Sequence, residues 1–182
     1  MTSDVTTRPL FRRVWAMPSS DTFTIQPIYQ LVWKYLNQSE VSVDPFARNN
    51  RWAKYTNDLN PETAAEHHMD ANDFVNMLAD NGVVADLIIV DPPYSPRQVK
   101  ECYDGIGIAM KQDDALLGLQ RKWLRQAIER IAGPTARVLW FGWNTVGMGS
   151  GWKREETLLV CHGSDHNDTI CVVDRRSQKR LW

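Results

Sequence analysis

A chain of 182 residues is long enough to bury a substantial hydrophobic core within one domain. Hydrophobic residues make up 43% of the sequence and charged residues 24%, which is the composition of an ordinary soluble globular protein. The formal net charge of −1 argues against a tight, free-standing binder of duplex DNA, because such proteins carry a basic excess that neutralises phosphates. A nucleic-acid partner would need a local basic patch, weak binding or a partner subunit.

Cysteine usage and the N-terminus bear on the cellular compartment. The three cysteines are an odd number without Cys-X-X-Cys spacing, which favours reduced thiols over a disulfide framework or a zinc site. The N-terminus has no apolar signal core, and no run approaches the roughly 18 apolar residues of a membrane span. We therefore expect a cytoplasmic protein with no membrane partner.

The first half of the chain predicts an arm followed by helices and strands. Residues 1–20 lack periodicity, so we expect an arm that is partly ordered at most, followed by a single domain over residues 21–182. A helix should begin after Asn60, with Asn60 as its cap and Pro61-Glu62 in its first turn. The other predicted elements are a helix over residues 24–36, strands over 41–46 and 54–59, a short strand near His68-Met69, and a helix over 72–79.

The second half contains the clearest strand of the sequence. Residues 85–90 are a nearly continuous apolar run that stops at Asp91, as expected for a strand covered on both faces. An amphipathic helix over residues 113–132 should end at Gly133-Pro134, and a buried strand follows over 138–141. Alternating runs at 156–161 and 169–173, joined by 163–167, predict an antiparallel hairpin.

This succession of elements predicts a single α/β domain with a mostly parallel sheet and a C-terminal antiparallel hairpin. In such sheets, ligands bind beyond the carboxyl ends of the strands. Asp44, Asp58 and Asp91 each lie at the end of a predicted strand, so we expect three carboxylates along one edge.

The sharpest chemical signal is Asp91-Pro92-Pro93-Tyr94, directly after the buried strand. An exocyclic base amine is a poor nucleophile because its lone pair is delocalised into the ring. The Asp91 carboxylate and the Pro92 carbonyl can accept its two N–H bonds, and proline makes the turn stiff without adding a competing donor. Tyr94 can stack on a base rotated out of its helix. An ordinary turn after a strand is the alternative.

These residues resemble the Asp-Pro-Pro-Tyr family of amino-methyltransferases, which contains adenine-N6 and cytosine-N4 DNA methyltransferases. The chain looks most like the small versions encoded by phages and bacteria, and the resemblance covers most of residues 22–174. It implies a Rossmann-like methyltransferase fold, the catalytic set Asp91, Pro92, Pro93 and Tyr94, and S-adenosylmethionine as cofactor. DNA is the implied partner, adenine the implied base, and no separate target-recognition domain is implied.

The resemblance also implies which residues bind the cofactor. Phe23 and Thr24 belong to the segment that packs around the methionine moiety, and Asp58 would hold the ribose hydroxyls. Asp70, or alternatively Asp73, would accept from the adenine amine. The implied set is Phe23, Thr24, Asp44, Pro45, Phe46, Asp58, Leu59, Asp70 and Ala71.

Two departures from the family pattern concern the cofactor loop. The family has glycines after Asp-Pro-Phe, whereas this chain has residues 47–50 without glycine, and Asn49 or Asn50 would have to adopt the left-handed conformation. Asp44 and Asp58 are 58 − 44 = 14 residues apart, which leaves about two helical turns for a crossover. Both features favour a rival interpretation, a non-catalytic binding subunit with this fold. An RNA-directed enzyme is a second rival.

Other candidate residues carry weaker signals. His67-His68 beside Asp70 lacks a further ligand set, so we expect no metal site. Target recognition would come from loops, the N-terminal arm, a homo-oligomer or a partner subunit. Candidates for bordering the target base or contacting phosphate are Trp143, Asn144, His162, His166 and Asn167, and the basic residues Arg175, Arg176, Lys179 and Arg180.

Overall fold

The computed structural model describes residues 8–109, 113 and 116–177. Within these ranges, every helix is too short or too polar to span a lipid bilayer. A short 3-10 helix lies at Thr22–Thr24. The remaining elements are β1 (Leu10–Trp15), α1 (Gln26–Leu36), β2 (Ser42–Asp44), β3 (Tyr55–Thr56), α2 (Ala71–Asp80), β4 (Ala85–Val90), α3 (Pro96–Gly105), α4 (Leu117–Ile131), β5 (Ala132–Gly142), β6 (Trp152–Cys161) and β7 (Thr169–Arg176).

Seven strands form one sheet in the order β1-β6-β7-β5-β4-β2-β3. The pairs β2–β3, β2–β4, β4–β5 and β1–β6 are parallel, whereas β7 is antiparallel to both β5 and β6. The predicted single α/β domain with a mostly parallel sheet and a C-terminal hairpin is therefore confirmed. Because β4 lies between β2 and β5, its carboxyl end opens at the centre of the parallel part.

The sheet is covered on both faces, which explains why five of the six residues of β4 are apolar and why its one charged residue, Asp86, is only partly buried. Ile88 and Val90 join the core formed with α2 and α4. Leu87 and Ile89 join the opposite core, formed with α1 and the 3-10 helix. Alternate residues of a strand point to opposite faces, so a strand buried on both sides needs apolar residues at every position.

The predicted helix after Asn60 is wrong. Residues 61–64 form turns, and the Asn60 side chain accepts a hydrogen bond from the Glu62 amide at 2.9 Å. Asparagine closes such local turns as readily as it caps a helix, and the buried residue that follows, Ala65, is too small to anchor a helix. The predicted strand near His68-Met69 is reduced to an isolated bridge between Asn57 and His67.

The N-terminal arm also differs from the expectation. Residues 10–15 form the edge strand β1, paired in register with β6 from Leu10–Glu156 to Trp15–Cys161. Main-chain pairing holds the strand, and the Arg12 guanidinium forms an ion pair with the Glu156 carboxylate at 2.7 Å. Most β1 side chains remain exposed, so the segment has no apolar periodicity that would predict a strand.

Two helices differ in detail from the sequence pattern. Helix α3 was not predicted, because only Val99 of its ten residues is buried and its sequence is otherwise polar. Helix α4 buries Leu124, Ala127, Ile128 and Ile131, whereas Trp123 is 40% exposed. Residues 114–115, in the predicted start of this helix, lie outside the described residues.

Candidate active site

The Asp91-Pro92-Pro93-Tyr94 turn connects β4 to α3, and the first turn of α3 holds it in place. The Ser95 side chain caps α3 by accepting from the Gln98 amide at 3.2 Å. Gln98 in turn accepts from the Tyr94 amide at 2.6 Å, which fixes the end of the turn. The Tyr94 hydroxyl donates a hydrogen bond to the Asp91 carboxylate, so the aromatic ring lies beside the carboxylate.

Asp91 lies in a low-dielectric position at the end of β4. Burial raises the pKa of its carboxyl group above the ordinary range, and hydrogen bonds from the Tyr94 and Thr22 side chains and the Arg48 charge oppose that rise. A carboxylate must be ionised to act only as a hydrogen-bond acceptor. These three neighbours therefore favour the form of Asp91 that can accept both the tyrosine hydroxyl and a further N–H donor.

Asp44, at the end of β2, is the most buried carboxylate of this edge, with 3% of its surface exposed. Burial raises its pKa to about 8, the hydrogen bond from the Phe46 amide (3.0 Å) opposes the rise, and the charges of Asp91 and Asp58 add to it. Because the charges of Asp91 and Asp58 both act on Asp44, these two carboxylates lie near it. We call Asp44, Asp58 and Asp91 the carboxylate edge.

Asp58, the third member, is bound to the loop that follows β2. Its carboxylate accepts from the Arg48 amide at 3.1 Å and from the Asn60 amide at 2.8 Å. Residue Arg48, rather than Asn49 or Asn50, adopts the left-handed conformation, with φ of +52°. The connection over residues 45–54 contains turns and no helix, consistent with the short spacing between Asp44 and Asp58.

Asn57 joins the ends of three chain segments, a role that the sequence did not reveal. Its side-chain amide donates to the Pro45 carbonyl at 3.1 Å and the Met69 carbonyl at 3.0 Å. Its side-chain oxygen accepts from the Met69 amide at 3.1 Å. The residue is fully buried, so each of these bonds spares a polar group the cost of burial without a partner. Only its position one residue before Asp58 could have pointed to it.

The remaining predicted cofactor residues lie in the 3-10 helix, at the start of α2, or in the loops after β2 and β3. Phe23 is buried against Phe141, with ring centroids 5.5 Å apart. The exposed Thr24 has local partners, because its hydroxyl donates to the Asp21 carbonyl and shares a hydrogen bond with the Ser19 hydroxyl. Asp70 is the N-cap of α2, which begins at Ala71. Its carboxylate accepts from the backbone amides of the first helical turn. The preceding residue, Met69, accepts a hydrogen bond from the Asn57 side chain. Pro45, Phe46 and Leu59 lie directly after β2 and β3.

An aromatic pair borders the catalytic turn on the hairpin side. The rings of Tyr94 and Trp143 lie 5.7 Å apart in an edge-to-face arrangement, and Trp143 is 40% exposed. Trp143 also lines a groove of about 510 Å³ that runs toward the β6–β7 loop, together with Arg13, Trp15 and His166. None of the three carboxylates lines this groove, so it is distinct from the carboxylate edge.

Several candidate residues have structural partners instead. Both ring nitrogens of His162 are within 2.9 Å of oxygen atoms, those of the Ala16 carbonyl and the Thr169 hydroxyl, so this side chain ties β1 to the hairpin. Arg175 and Arg176 belong to β7 and form ion pairs with Glu155 and Glu129. Lys179 and Arg180 lie outside the described residues.

Comparison with known proteins identifies the fold. No protein-family model matches the chain, and no curated protein sequence gives a match. A solved structure described as "Putative methyltransferase yhhF from Escherichia coli" is similar at 13% identity and a TM-score of 0.52, covering 90% of this chain and 92% of that one.

Two structures from Thermus thermophilus are also similar. TrmN gives 12% identity and a TM-score of 0.56, over 84% of this chain but only 49% of its own. A hypothetical protein of the same organism gives 12% identity and a TM-score of 0.50, over 88% of this chain and 91% of that one. At these identities the likeness establishes the architecture alone: the chain has the α/β fold of methyltransferase-like proteins.

Proposed function

We propose that this chain is an S-adenosylmethionine-dependent methyltransferase that acts on the exocyclic amine of a nucleobase, with adenine N6 in DNA as its substrate. The observation that carries the proposal is the arrangement at the end of β4. The Asp91 carboxylate lies beside the aromatic ring of Tyr94, and the other two members of the carboxylate edge lie on neighbouring strand ends.

Asp91 and the Pro92 carbonyl act on the target amine. The carboxylate offers two oxygen atoms, so it can accept an amine N–H while it still accepts from the Tyr94 hydroxyl. Accepting both N–H bonds draws the nitrogen toward a tetrahedral geometry and restores its lone pair. Positive charge develops on this nitrogen as it attacks, so the contact to Asp91 strengthens in the transition state.

The chemistry of the carboxylate edge fits the cofactor, which supplies an electrophilic methyl group. S-adenosylmethionine carries an ammonium group and ribose hydroxyls, which are hydrogen-bond donors. Asp44 and Asp58 are acceptors at adjacent strand ends, and parallel α/β sheets bind ligands at such ends. We assign Asp58 to the ribose, because it is the more exposed carboxylate. We assign the buried Asp44 to the ammonium group, whose positive charge would favour loss of the proton that burial retains on this carboxyl.

The aromatic pair supports a flat ring as the substrate. Tyr94 can fix the plane of a base presented to Asp91, and the exposed face of Trp143 can stack on the same base or its neighbour. The described residues form one α/β domain, so we expect base contacts from its loops, the N-terminal strand or a second subunit. We therefore expect a short or degenerate target and binding that weakens steeply with salt.

A methyl-transfer assay with tritiated cofactor tests the proposal, using unmethylated DNA and RNA as separate substrates. Asp91→Ala should lower turnover by at least ~10²-fold, the scale of one lost transition-state hydrogen-bond partner, and leave cofactor affinity nearly unchanged. Asp104→Ala, which removes an exposed carboxylate of α3, is the matched control and should keep native turnover. If label is transferred and Asp91→Ala is as active as the native protein, the assigned site is wrong.

A second candidate function is a non-catalytic binding subunit with a methyltransferase fold. The helix-free connection at residues 45–54 and the arginine in place of a glycine favour it. Absence of transfer to either nucleic acid, alone or with cellular partners, would support this alternative. Transfer to RNA alone would keep the chemistry and replace DNA as the substrate.

A further inference from the structure

Arg48 lies in the loop after β2 and contacts the carboxylate edge. Its backbone amide donates to the Asp58 carboxylate at 3.1 Å, and its guanidinium donates to the Ser20 carbonyl at 2.6 Å. The residue thus bridges the loop and the segment that leads into the 3-10 helix. Thr22, two residues beyond Ser20, lowers the pKa of Asp91 through a side-chain hydrogen bond, so this segment also lies near the catalytic carboxylate.

The backbone of Arg48 is strained. A φ of +52° is the left-handed conformation, which costs free energy for a residue with a long side chain and little for glycine. Strain of this kind persists where surrounding bonds enforce it, and it concentrates at functional sites. Glycine would adopt this backbone conformation at a lower cost in free energy, so we infer that the arginine side chain has a role that offsets the cost.

The guanidinium has capacity for an anion. It carries five N–H donors, and within the described part of the chain only its Nη1 nitrogen is bound, to the neutral Ser20 carbonyl. No carboxylate of the described residues lies within ion-pair distance of it. Its charge nevertheless lowers the pKa of Asp91 and of Cys102, so the guanidinium lies near the catalytic turn and α3. A planar arginine fork binds carboxylates with two parallel hydrogen bonds.

The charges of the site and of the cofactor are complementary. The carboxylate edge offers three acidic groups with one adjacent cation, and the buried Asp44 keeps its proton up to about pH 8. S-adenosylmethionine offers two positive groups, the sulfonium and the ammonium, and one negative group, the carboxylate of its methionine moiety. An arginine beside a sulfonium would repel it unless the arginine were paired with that carboxylate.

We propose that the Arg48 guanidinium binds the methionine carboxylate of S-adenosylmethionine and exchanges its Ser20 carbonyl contact for this ligand. The inference rests on the proposed function and deepens it, because it names the group that selects the amino-acid end of the cofactor. A bond to the Ser20 carbonyl alone would make Arg48 a purely structural clamp, and a bond to phosphate would make it a nucleic-acid contact.

Calorimetry with two ligands separates these roles. S-adenosylmethionine and its decarboxylated analogue differ only in the carboxylate, and the native protein should prefer the former by at least about tenfold. Arg48→Gln should lose this preference by binding S-adenosylmethionine about tenfold more weakly and the analogue with native affinity. Arg48→Gly relieves the backbone strain and should show the same loss of preference. It serves as a second variant in case Arg48→Gln misfolds. Arg51→Gln, in the same loop, removes one exposed arginine and should keep the preference.

Two results would overturn the inference and leave the proposed function intact. One is equal weakening of both ligands in the Arg48 variants, which is the behaviour of a structural clamp. The other is an unchanged ligand preference with weaker binding of a DNA oligonucleotide. If the native protein binds neither ligand, the proposed function fails and the inference fails with it.

Discussion

Replacing the buried Asp44 by asparagine tests the electrostatics of the carboxylate edge directly. Burial raises the pKa of this group from its ordinary value of 3.8 to about 8. In the folded protein the carboxyl therefore keeps its proton over a pH range in which the unfolded chain has lost it. Its stabilising effect is complete at pH values below the pKa of the unfolded chain. As the pH rises toward about 8 the effect is lost, and the free energy of unfolding falls by about 1.4 kcal/mol per pH unit.

The expected magnitude is large because Asp44 is only 3% exposed. Between about pH 4 and about pH 7 the native protein should lose about 4 kcal/mol of stability through this one group. Asp44→Asn has no ionisable group there, and its amide oxygen can still accept from the Phe46 amide. The variant should therefore be the more stable protein at neutral pH, and its advantage should fall as the pH is lowered.

Urea unfolding followed by tryptophan fluorescence, at several values from about pH 5 to about pH 8, measures this difference as ΔΔG against pH. Asp58→Asn, a more exposed member of the same edge, controls for the loss of one negative charge and should keep the native slope. Parallel pH profiles for the native protein and Asp44→Asn would refute the reasoning. If Asp44 binds the cofactor ammonium, the stabilised variant should also bind S-adenosylmethionine more weakly.

Three further substitutions test individual contacts. Tyr94→Phe removes a hydrogen-bond donor from Asp91, so the pKa of Asp91 should rise and the acidic limb of the pH–rate profile should move to higher pH, with turnover recovered in alkali. An unmoved limb would show that the tyrosine acts by stacking alone. Trp143→Ala should weaken binding of a labelled oligonucleotide by roughly 1–3 kcal/mol, the value of one base stack. Trp123→Ala, equally exposed at 40%, should not, and equal losses in anisotropy titrations would contradict this assignment. Burial raises the pKa of Glu156, but the ion pairs with Lys34 and Arg12 lower it by more than burial raises it. The net pKa is therefore below the ordinary value. Its contribution is therefore lost as the pH falls, so Glu156→Gln should cost about 1–2 kcal/mol at neutral pH, allowing for its half-exposed partners, and less in acid by urea unfolding.

The sequence alone determined those elements whose own spacing of apolar residues specifies which faces are buried. The run over β4 predicted burial on both faces, because four consecutive apolar residues, 87–90, leave no polar face for water. The apolar spacing of α1 and the alternation of β6 and β7 likewise specify one buried face each. The positions of Asp44, Asp58 and Asp91 after strands predicted a common edge, because parallel strands end on the same side.

Only the tertiary structure decided how these groups differ from one another. Asp44 and Asp58 are the same residue type at equivalent strand ends, yet one is almost fully buried and the other is bound to two loop amides. Strand β1 depends on its pairing with β6, and Arg48 adopts its strained conformation because Asp58 and Ser20 hold it. Burial, pairing and strain arise from partners distant in the chain, and local residue patterns carry no record of those partners.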